Sequence, residues 1–144
     1  MKVKFCAQRD MMDCGAACLQ SICQHYGKEI ELLHIRNLCH ITRNGVSMLG
    51  IADAAEALGL NTIGVKLTWE QLCKDAHLPC IIHWNQRHFV VVAKIRNDIV
   101  TVMDPAIGIL KYKKADFQKC WLQLSGTNVA EKMGAALLLS PTAK

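Results

Sequence analysis

One cysteine of this chain occupies a position where a thiol could act as a nucleophile. Asp13 is a residue type that commonly precedes a helix, so the sequence predicts a helix that begins with Cys14. The unpaired amides and the dipole at a helix start favour an anion, and the thiolate is the reactive form of cysteine. Taken alone, such a position is more often that of a buried core cysteine near a helix end.

Two residues far along the chain have side chains that could activate this thiol. His88 opens the strongest predicted strand and Asp104 closes the next one. A hairpin turning near Arg96 and Asn97 would place the two within diagonal reach across the ladder. A carboxylate orients an imidazole and stabilises the imidazolium, which in turn stabilises a thiolate. The alternatives are a core histidine and a turn-forming aspartate, but the ordered set of Cys, His and Asp favours the catalytic interpretation.

Two further residues are candidates for roles in the same site. Gln8 precedes the helix that begins with Cys14, so its amide could donate to an oxyanion together with the backbone N–H of Cys14. A lone glutamine is more commonly a solvated surface residue. Trp84 lies shortly before His88 and could form a wall of the substrate cleft, although a core position is equally typical of a tryptophan.

The other cysteines suggest neither a metal centre nor a disulfide framework. The opening residues carry no secretion signal, so reduced thiols are expected. No CxxC pair occurs, whereas structural zinc sites usually contain such pairs. We therefore expect no metal, and we interpret most of these thiols as small buried hydrophobes. A cysteine-rich redox or zinc protein remains an alternative. The eight cysteines are Cys6, Cys14, Cys18, Cys23, Cys39, Cys73, Cys80 and Cys120.

Composition restricts the architecture and the class of partner. The 144 residues are 51% hydrophobic and 20% charged, which suits one domain (1–144) with a substantial core. No run of about 18 apolar residues occurs, so this chain alone is not expected to span a bilayer. The net charge of +5 is scattered and not interleaved with aromatic residues, so nucleic acid is not an expected partner. The lysines of residues 111–119 are interpreted as a solvated face, and a weak attraction to an anionic membrane surface or an acidic peptide is the alternative.

Helical patterns fill the first half of the chain and strand patterns fill the second. This order predicts an α+β fold in which helices pack on an antiparallel sheet, rather than repeated βαβ units. The predicted helices cover residues 14–26, 31–38, 48–58 and 69–73, and the predicted strands cover residues 61–67, 80–84, 88–95, 99–103, 109–112 and 135–139.

Several segments together resemble a known family. Residues 8–19, QRDMMDCGAACL, are similar to the active-site stretch of the cysteine peptidase domains found at the N-terminus of bacteriocin-processing ABC transporters, the double-glycine leader peptidases. The similarity extends from about residue 3 to residue 141. Its other parts are Tyr26-Gly27, Leu58-Gly59-Leu60, PCIIHW at 79–84, HFVV at 88–91, and Asp104-Pro105-Ala106 followed by Gly108.

The resemblance implies a papain-like fold with a central helix carrying the nucleophile. Carried over by position, Cys14 is the nucleophile, His88 the general base and acid, Asp104 the residue that orients His88, and Gln8 the oxyanion donor. The implied reaction removes a leader peptide from ribosomally made precursors of the bacteriocin or lanthipeptide type, after Gly-Gly, Gly-Ala or Gly-Ser. A catalytically silent leader-binding domain and a papain-like acyltransferase are the alternatives.

The resemblance also implies partners and a location. The precursor would present an amphipathic helical leader, and the transmembrane and nucleotide-binding parts of a parent ABC transporter would be attached. ATP and Mg would belong to that transporter, and the peptidase domain would need no cofactor. The domain would lie on the cytoplasmic side of the bacterial cell membrane, and the fragment itself would be soluble. We expect a domain excised from such a transporter, with a naturally free-standing peptidase as the other possibility.

Overall fold

Five helices and six strands make up the described part of the chain. The computed structural model describes Cys6 and residues 13–39, 46–85, 88–122 and 133–142. Helices precede most of the sheet, which confirms the predicted α+β layout. In chain order the elements are α1 (Cys14–His25), α2 (Leu32–Leu38), α3 (Met48–Ala57), β1 (Leu60–Leu67), α4 (Trp69–Lys74), β2 (Cys80–Trp84), β3 (His88–Arg96), β4 (Ile99–Asp104), β5 (Gly108–Lys113), α5 (Lys114–Trp121) and β6 (Gly134–Pro141).

The strands form one antiparallel sheet in the order β1-β6-β2-β3-β4-β5. Strands β2 to β5 are consecutive neighbours, whereas β6 inserts between β1 and β2. The β3–β4 hairpin turns at Asn97 and Asp98, whose φ values of 54° and 60° suit a two-residue turn of the type that matches strand twist. In this strand order, β3 and β4 both have neighbours on each side and are interior strands of the sheet.

Each face of the sheet buries its own hydrophobic cluster. Helices α1, α2 and α3 cover one face, where α1 crosses β3. Helices α4 and α5 cover the other face around Phe117, which contacts Trp69, Trp84 and Trp121 edge-on or tilted. The sheet alternates its apolar side chains between these two clusters, so it is a middle layer, and α1 with Cys14 lies on one of its faces.

Helix α1 is the predicted central helix. Nine of its twelve residues are buried, as expected for a helix that is apolar almost all round. It stops where the sequence predicts, because Gly27 adopts φ 82° just after the C-cap Tyr26. The amide of Gly27 donates to Gln24 O (3.0 Å) and that of Lys28 to Cys23 O (2.8 Å), the two bonds of a Schellman stop.

Helix α5 was not among the predicted helices. Its segment follows the lysine-rich strand β5, which made the region look like a solvated face. Phe117 and Trp121 are four residues apart and both buried, which is the one-face spacing of a helix packed on the sheet. Lys114 also lies 5.5 Å from the ring centre of Trp69, a cation–π contact, so part of the basic cluster covers aromatic surface.

All eight cysteines are free thiols. Within the described ranges, no group of three or more His, Cys, Asp or Glu side chains is arranged to hold a metal ion. None of the helices in those ranges is long and apolar enough to cross a membrane.

Candidate active site

The start of α1 positions Cys14. As predicted, Cys14 is the first helical residue, and the carbonyl of Asp13 accepts the amide of Ala17 at 2.8 Å. The predicted capping role of the Asp13 side chain is wrong, because it makes no cap hydrogen bond. Its backbone has ψ 2° instead of the extended value typical of a cap, and its carboxylate lies 3.0 Å from Arg36 Nε on α2. An ion pair between two helices therefore replaces the local cap.

Gly15, the residue after Cys14, packs against Val46 and α3. A Cβ built on Gly15 would collide with Val46 Cγ1 and lie 2.8 Å from Ile51 Cδ1. Only glycine lets the first turn of α1 approach this closely, so the position of Cys14 is fixed by tertiary packing as well as by the helix.

The hairpin brings His88 and Asp104 together. Met103 pairs with Val91, so Asp104 reaches His88 diagonally across the ladder, as the sequence predicts. His88 Nε2 lies 2.6 Å from Asp104 Oδ1. The same oxygen accepts the amide of Ala106 at 2.9 Å, an aspartate turn closed within the segment after β4. One carboxylate oxygen therefore has two donors, which fix both the carboxylate and the imidazole.

His88 also contacts the thiol. Burial lowers the pKa of His88, but hydrogen bonds to Cys14 and Asp104 and the charges of both raise it, so that the pKa lies above its ordinary value. Because Nε2 faces Asp104, we expect Nδ1 to be the ring nitrogen that faces the sulfur. The three side chains thus form a continuous relay from carboxylate through imidazole to thiol, which is the arrangement of nucleophilic catalysis.

Other thiols lack this environment. Burial raises the pKa of Cys18 well above its ordinary value, and it raises those of Cys23, Cys39 and Cys80 to about 11, 12 and 12. Cys18 follows Cys14 by one helical turn, but its Sγ donates to the carbonyl of Phe89 at 3.2 Å. Among these thiols, Cys14 differs by its hydrogen bond to an imidazole. Its role as nucleophile stays a prediction.

Trp84 and Gln8 were the two remaining candidates. Trp84 pairs with His88 across β2 and β3, but its ring packs on Phe117 and Tyr112 and is 4% exposed. It therefore lies mainly in the cluster under α4 and α5, and its role as a cleft wall stays a prediction. Gln8 lies outside the described residues, so its role as oxyanion donor also stays a prediction.

Sequence reasoning missed two groups that hold the site. The amide of Ala106 supports Asp104, and the Asp-Pro-Ala order could have indicated it, since aspartate commonly accepts the amide two residues ahead. Arg36 pairs with Asp13 across two helices. No local pattern in the sequence signals that contact, because it depends on how α2 packs on α1.

A cysteine at the start of a central helix, set against an antiparallel sheet that supplies a paired His and Asp, is the arrangement of a papain-like cysteine peptidase. Comparisons with known proteins agree with this class. The model of the Peptidase C39 family matches residues 2–127. The chain belongs to this family and is a cysteine peptidase.

Relatives and solved structures resemble this chain over most of its length. The colicin V secretion/processing ATP-binding protein CvaB of Escherichia coli is 37% identical over 71% of this chain, which spans only 14% of that relative. A double glycine motif protease from an AMS/PCAT transporter, solved with the leader peptide, aligns with TM-score 0.86 and 31% identity over 98% of this chain and 94% of its own. The peptidase domain of Streptococcus ComA aligns with TM-score 0.82 and 28% identity over 97% and 99%. These alignments confirm the papain-like fold class.

Proposed function

We propose that this chain is a leader peptidase of an export system. It would remove the leader of ribosomally made precursor peptides of the bacteriocin or lanthipeptide type after Gly-Gly, Gly-Ala or Gly-Ser. The observation that carries the proposal is the Cys14–His88–Asp104 relay on a fold that aligns with a double glycine motif protease. The chain spans about 14% of the first curated relative, a secretion/processing ATP-binding protein, which supports attachment to an ABC transporter.

The first chemical step is acyl transfer to sulfur. The Cys14 thiolate attacks the carbonyl carbon of the second small residue, and the C–S bond forms as the carbonyl becomes an oxyanion. The Cys14 amide and the Gln8 side chain donate to that oxyanion, an effect typically worth about 3 kcal/mol per donor. His88 gives its proton to the departing nitrogen as the C–N bond breaks, while Asp104 stabilises its charge.

The second step releases the leader. His88, now neutral, takes a proton from water, and the hydroxide attacks the thioester carbonyl. The C–S bond breaks, the leader leaves with a new carboxylate, and the proton returns to the Cys14–His88 pair. Each group therefore returns to its starting state, and these steps use only groups of the chain and water.

Specificity for small residues follows from the shape of the cleft. A narrow cleft admits a backbone without a Cβ and rejects larger side chains by collision. Trp84 is the candidate wall, next to His88 across the β2–β3 ladder. If Trp84 forms this wall, Trp84→Phe widens acceptance from Gly, Ala and Ser to larger residues such as Val and Leu at the cleavage site, whereas a purely core role lowers stability alone.

Recognition of the rest of the precursor requires a second surface. An amphipathic helical leader would lay its apolar face in an apolar groove of this domain. The transmembrane and nucleotide-binding parts of the transporter, with their ATP and Mg, would export the product. The peptidase would then act at the cytoplasmic side of the cell membrane.

Cleavage of a precursor that ends its leader in Gly-Gly tests the proposal. Wild type and Cys73→Ala, which alters an exposed thiol on α4, are expected to cleave it. Cys14→Ala and His88→Ala are expected to bind the precursor without cleaving it. Mass spectrometry locates the cut. Retained cleavage by Cys14→Ala, or wild type that binds an intact leader without cutting it, would overturn the proposal.

An added amine acceptor distinguishes hydrolysis from acyl transfer. The proposed peptidase releases a leader with a free carboxylate even when the amine is present. A leader amide as the main product would instead identify an acyltransferase that uses the same three residues.

A further inference from the structure

Strand β5 forms an open edge of the sheet beside Asp104. It is the terminal strand in the order β1-β6-β2-β3-β4-β5, and within the described residues no further strand pairs with its outer side. Gly108, the first residue of β5, lies opposite Asp104 in the register. The edge therefore begins at the candidate active site and, at the usual rise of a strand, leads about 17 Å away from it.

Alternate residues of β5 direct their backbone groups to the open side, because the bonding of an antiparallel ladder alternates residue by residue. The amide of Lys114 donates to the carbonyl of Asp98 at 2.9 Å and extends the β4–β5 register by one pair. The even-numbered residues of β5 therefore bond to β4. The outward amides and carbonyls belong to Ile109, Lys111 and Lys113.

Four basic side chains lie exposed on one face of β3 and β5. Residues paired across a ladder share a face, and the pairing through β4 puts these four in two rows. One row is Lys94, Thr101 and Lys111, and the next is Arg96, Ile99 and Lys113. We call Lys94, Arg96, Lys111 and Lys113 the basic face. Residues 88–113 contain no other Lys or Arg and two acidic residues, Asp98 in the turn and Asp104 at the far end.

The charge and the outward backbone groups together indicate what this surface fits. A second copy of the chain suits it poorly, since pairing two β5 strands would set lysines against lysines. An extended peptide with carboxylates at alternate positions suits it well, because its backbone completes the ladder and its carboxylates lie against the cations. Ile107 and Ile109, 68% and 55% exposed, add apolar surface at the end nearest Asp104.

We propose that the β5 edge and the basic face bind an extended, acidic stretch of the precursor peptide as an added strand, an inference that rests on the proposed function. The added strand bonds to the outward groups of Ile109, Lys111 and Lys113, and its alternate carboxylates lie against the basic face. This surface differs from the apolar groove proposed for the helical leader, because it binds backbone and charge. Its start beside Asp104 brings the bound stretch close to the scissile bond.

A synthetic peptide of about eight residues that alternates Glu and Thr tests the docking without any cleavage. Amide hydrogen exchange of the isotope-labelled chain is followed by NMR. With the peptide bound, the amides of Ile109, Lys111 and Lys113 are expected to exchange at least about tenfold more slowly. Those of Leu110 and Tyr112 already bond to β4 and should not change. Unchanged exchange of the three outward amides at saturating peptide would overturn the added strand.

Two substitutions of Lys111 separate charge from backbone bonding. Lys111→Gln removes the charge and is expected to weaken peptide binding by about threefold. Lys111→Pro also removes the outward amide, which the β4–β5 ladder does not use, so it is expected to weaken binding by about fivefold more. The control Lys119→Gln removes an exposed charge from α5, on the other face of the sheet, and should bind like wild type.

Urea unfolding shows whether both Lys111 variants are folded, and the exchange result decides if the proline variant is not. Equal binding by the two folded variants, or an equal loss in Lys119→Gln, would overturn the proposal. Vesicles of phosphatidylglycerol and phosphatidylcholine test a membrane instead. Binding to these vesicles that depends on Lys111, with no amide protected by the peptide, would identify a membrane surface and contradict a peptide site.

Precursors with a Glu-Thr or a Gln-Thr stretch beside the Gly-Gly pair test the occupant. The Glu precursor is expected to have a KM about fivefold lower, with kcat little changed, and Lys111→Gln should reduce that difference. Equal KM values would exclude the precursor as the occupant. If the peptide protects the three amides while wild type cleaves neither precursor, the proposed function fails and the acidic-peptide site stands.

Discussion

Asp104 is one of the groups that raise the pKa of His88, and it acts through one oxygen that also accepts the amide of Ala106. In Asp104→Asn, the amide oxygen can still accept from both donors, so the geometry is retained and the negative charge is lost. The imidazolium is then less stable, and we expect kcat to fall by at least about 100-fold. KM should change little, because Asp104 acts on the transition state through His88. Steady-state kinetics on a double-glycine precursor separate the two parameters, and a raised KM with unchanged kcat would identify Asp104 as structural.

The raised pKa of His88 also links protonation to stability. A protonated His88 is favoured by the folded chain, so its contribution is fully present below about pH 6.5, the ordinary value for histidine. That contribution disappears as the pH rises through the higher pKa of the folded state. We therefore expect His88→Gln to reduce the free energy of unfolding more at pH 5.5 than at pH 9. Urea unfolding at the two pH values measures the difference, and an equal loss at both would contradict the pKa shift.

For individual residues, the sequence predicts a position correctly when that position depends on local geometry alone. Cys14 at a helix start and His88 diagonal to Asp104 both follow from one element or one hairpin. The Asp13–Arg36 pair does not, because it depends on the packing of α2 against α1. A side chain's secondary-structure position is thus predictable, whereas its partner in another helix is not.

Helix α1 packs closely against Val46 and Ile51 because Gly15 has no side chain. Gly15→Ala would force a Cβ into Val46 and Ile51, and such overpacking typically costs about 1–3 kcal/mol. The first turn would move away from α3 and carry the Cys14 sulfur with it, so activity should fall along with stability. Denaturant unfolding and kcat/KM measure the two effects.

The matched control is Gly64→Ala on β1, where a Cβ would meet nothing within 4 Å. This substitution is expected to change stability little and activity not at all. Equal effects of the two substitutions would show that close packing at Gly15 does not position the nucleophile.

Elements with clear start and stop residues follow from the sequence, but α5 does not. Gly27 directly follows the predicted end of α1 at residue 26, and the turn at Asn97 and Asp98 forms the hairpin predicted near Arg96 and Asn97. Helix α5 begins at Lys114 directly after β5 and buries only Phe117 and Trp121, so its apolar face is too narrow to stand out among the lysines. Its burial depends on the aromatic cluster beneath it, which only the assembled sheet provides.

The whole molecule brings Cys14, His88 and Asp104 together by connections that no short segment encodes. Strand β6 lies between β1 and β2, although it is the last strand in the chain. This arrangement completes both faces of the sheet and lets α1 cross β3 with Cys14 at His88. Local patterns predict the strands, but the strand order is set by which faces can be buried together.

Global burial also predicts the order in which the thiols react. Cys18, Cys39 and Cys80 lie in the core with raised pKa values, so they should react with iodoacetamide only when the chain unfolds. Cys73 is exposed, but burial of part of its side chain raises its pKa, which slows its reaction at neutral pH.

Cys14 contacts His88, and we expect it to be the first of these five thiols to be alkylated in the native protein at pH 7, ahead of the more accessible Cys73. Timed quenching followed by peptide mass mapping gives the order, and His88→Ala should delay Cys14 while leaving Cys73 unchanged. If Cys73 reacted first in wild type, exposure alone would govern reactivity, and the imidazole would not activate the thiol.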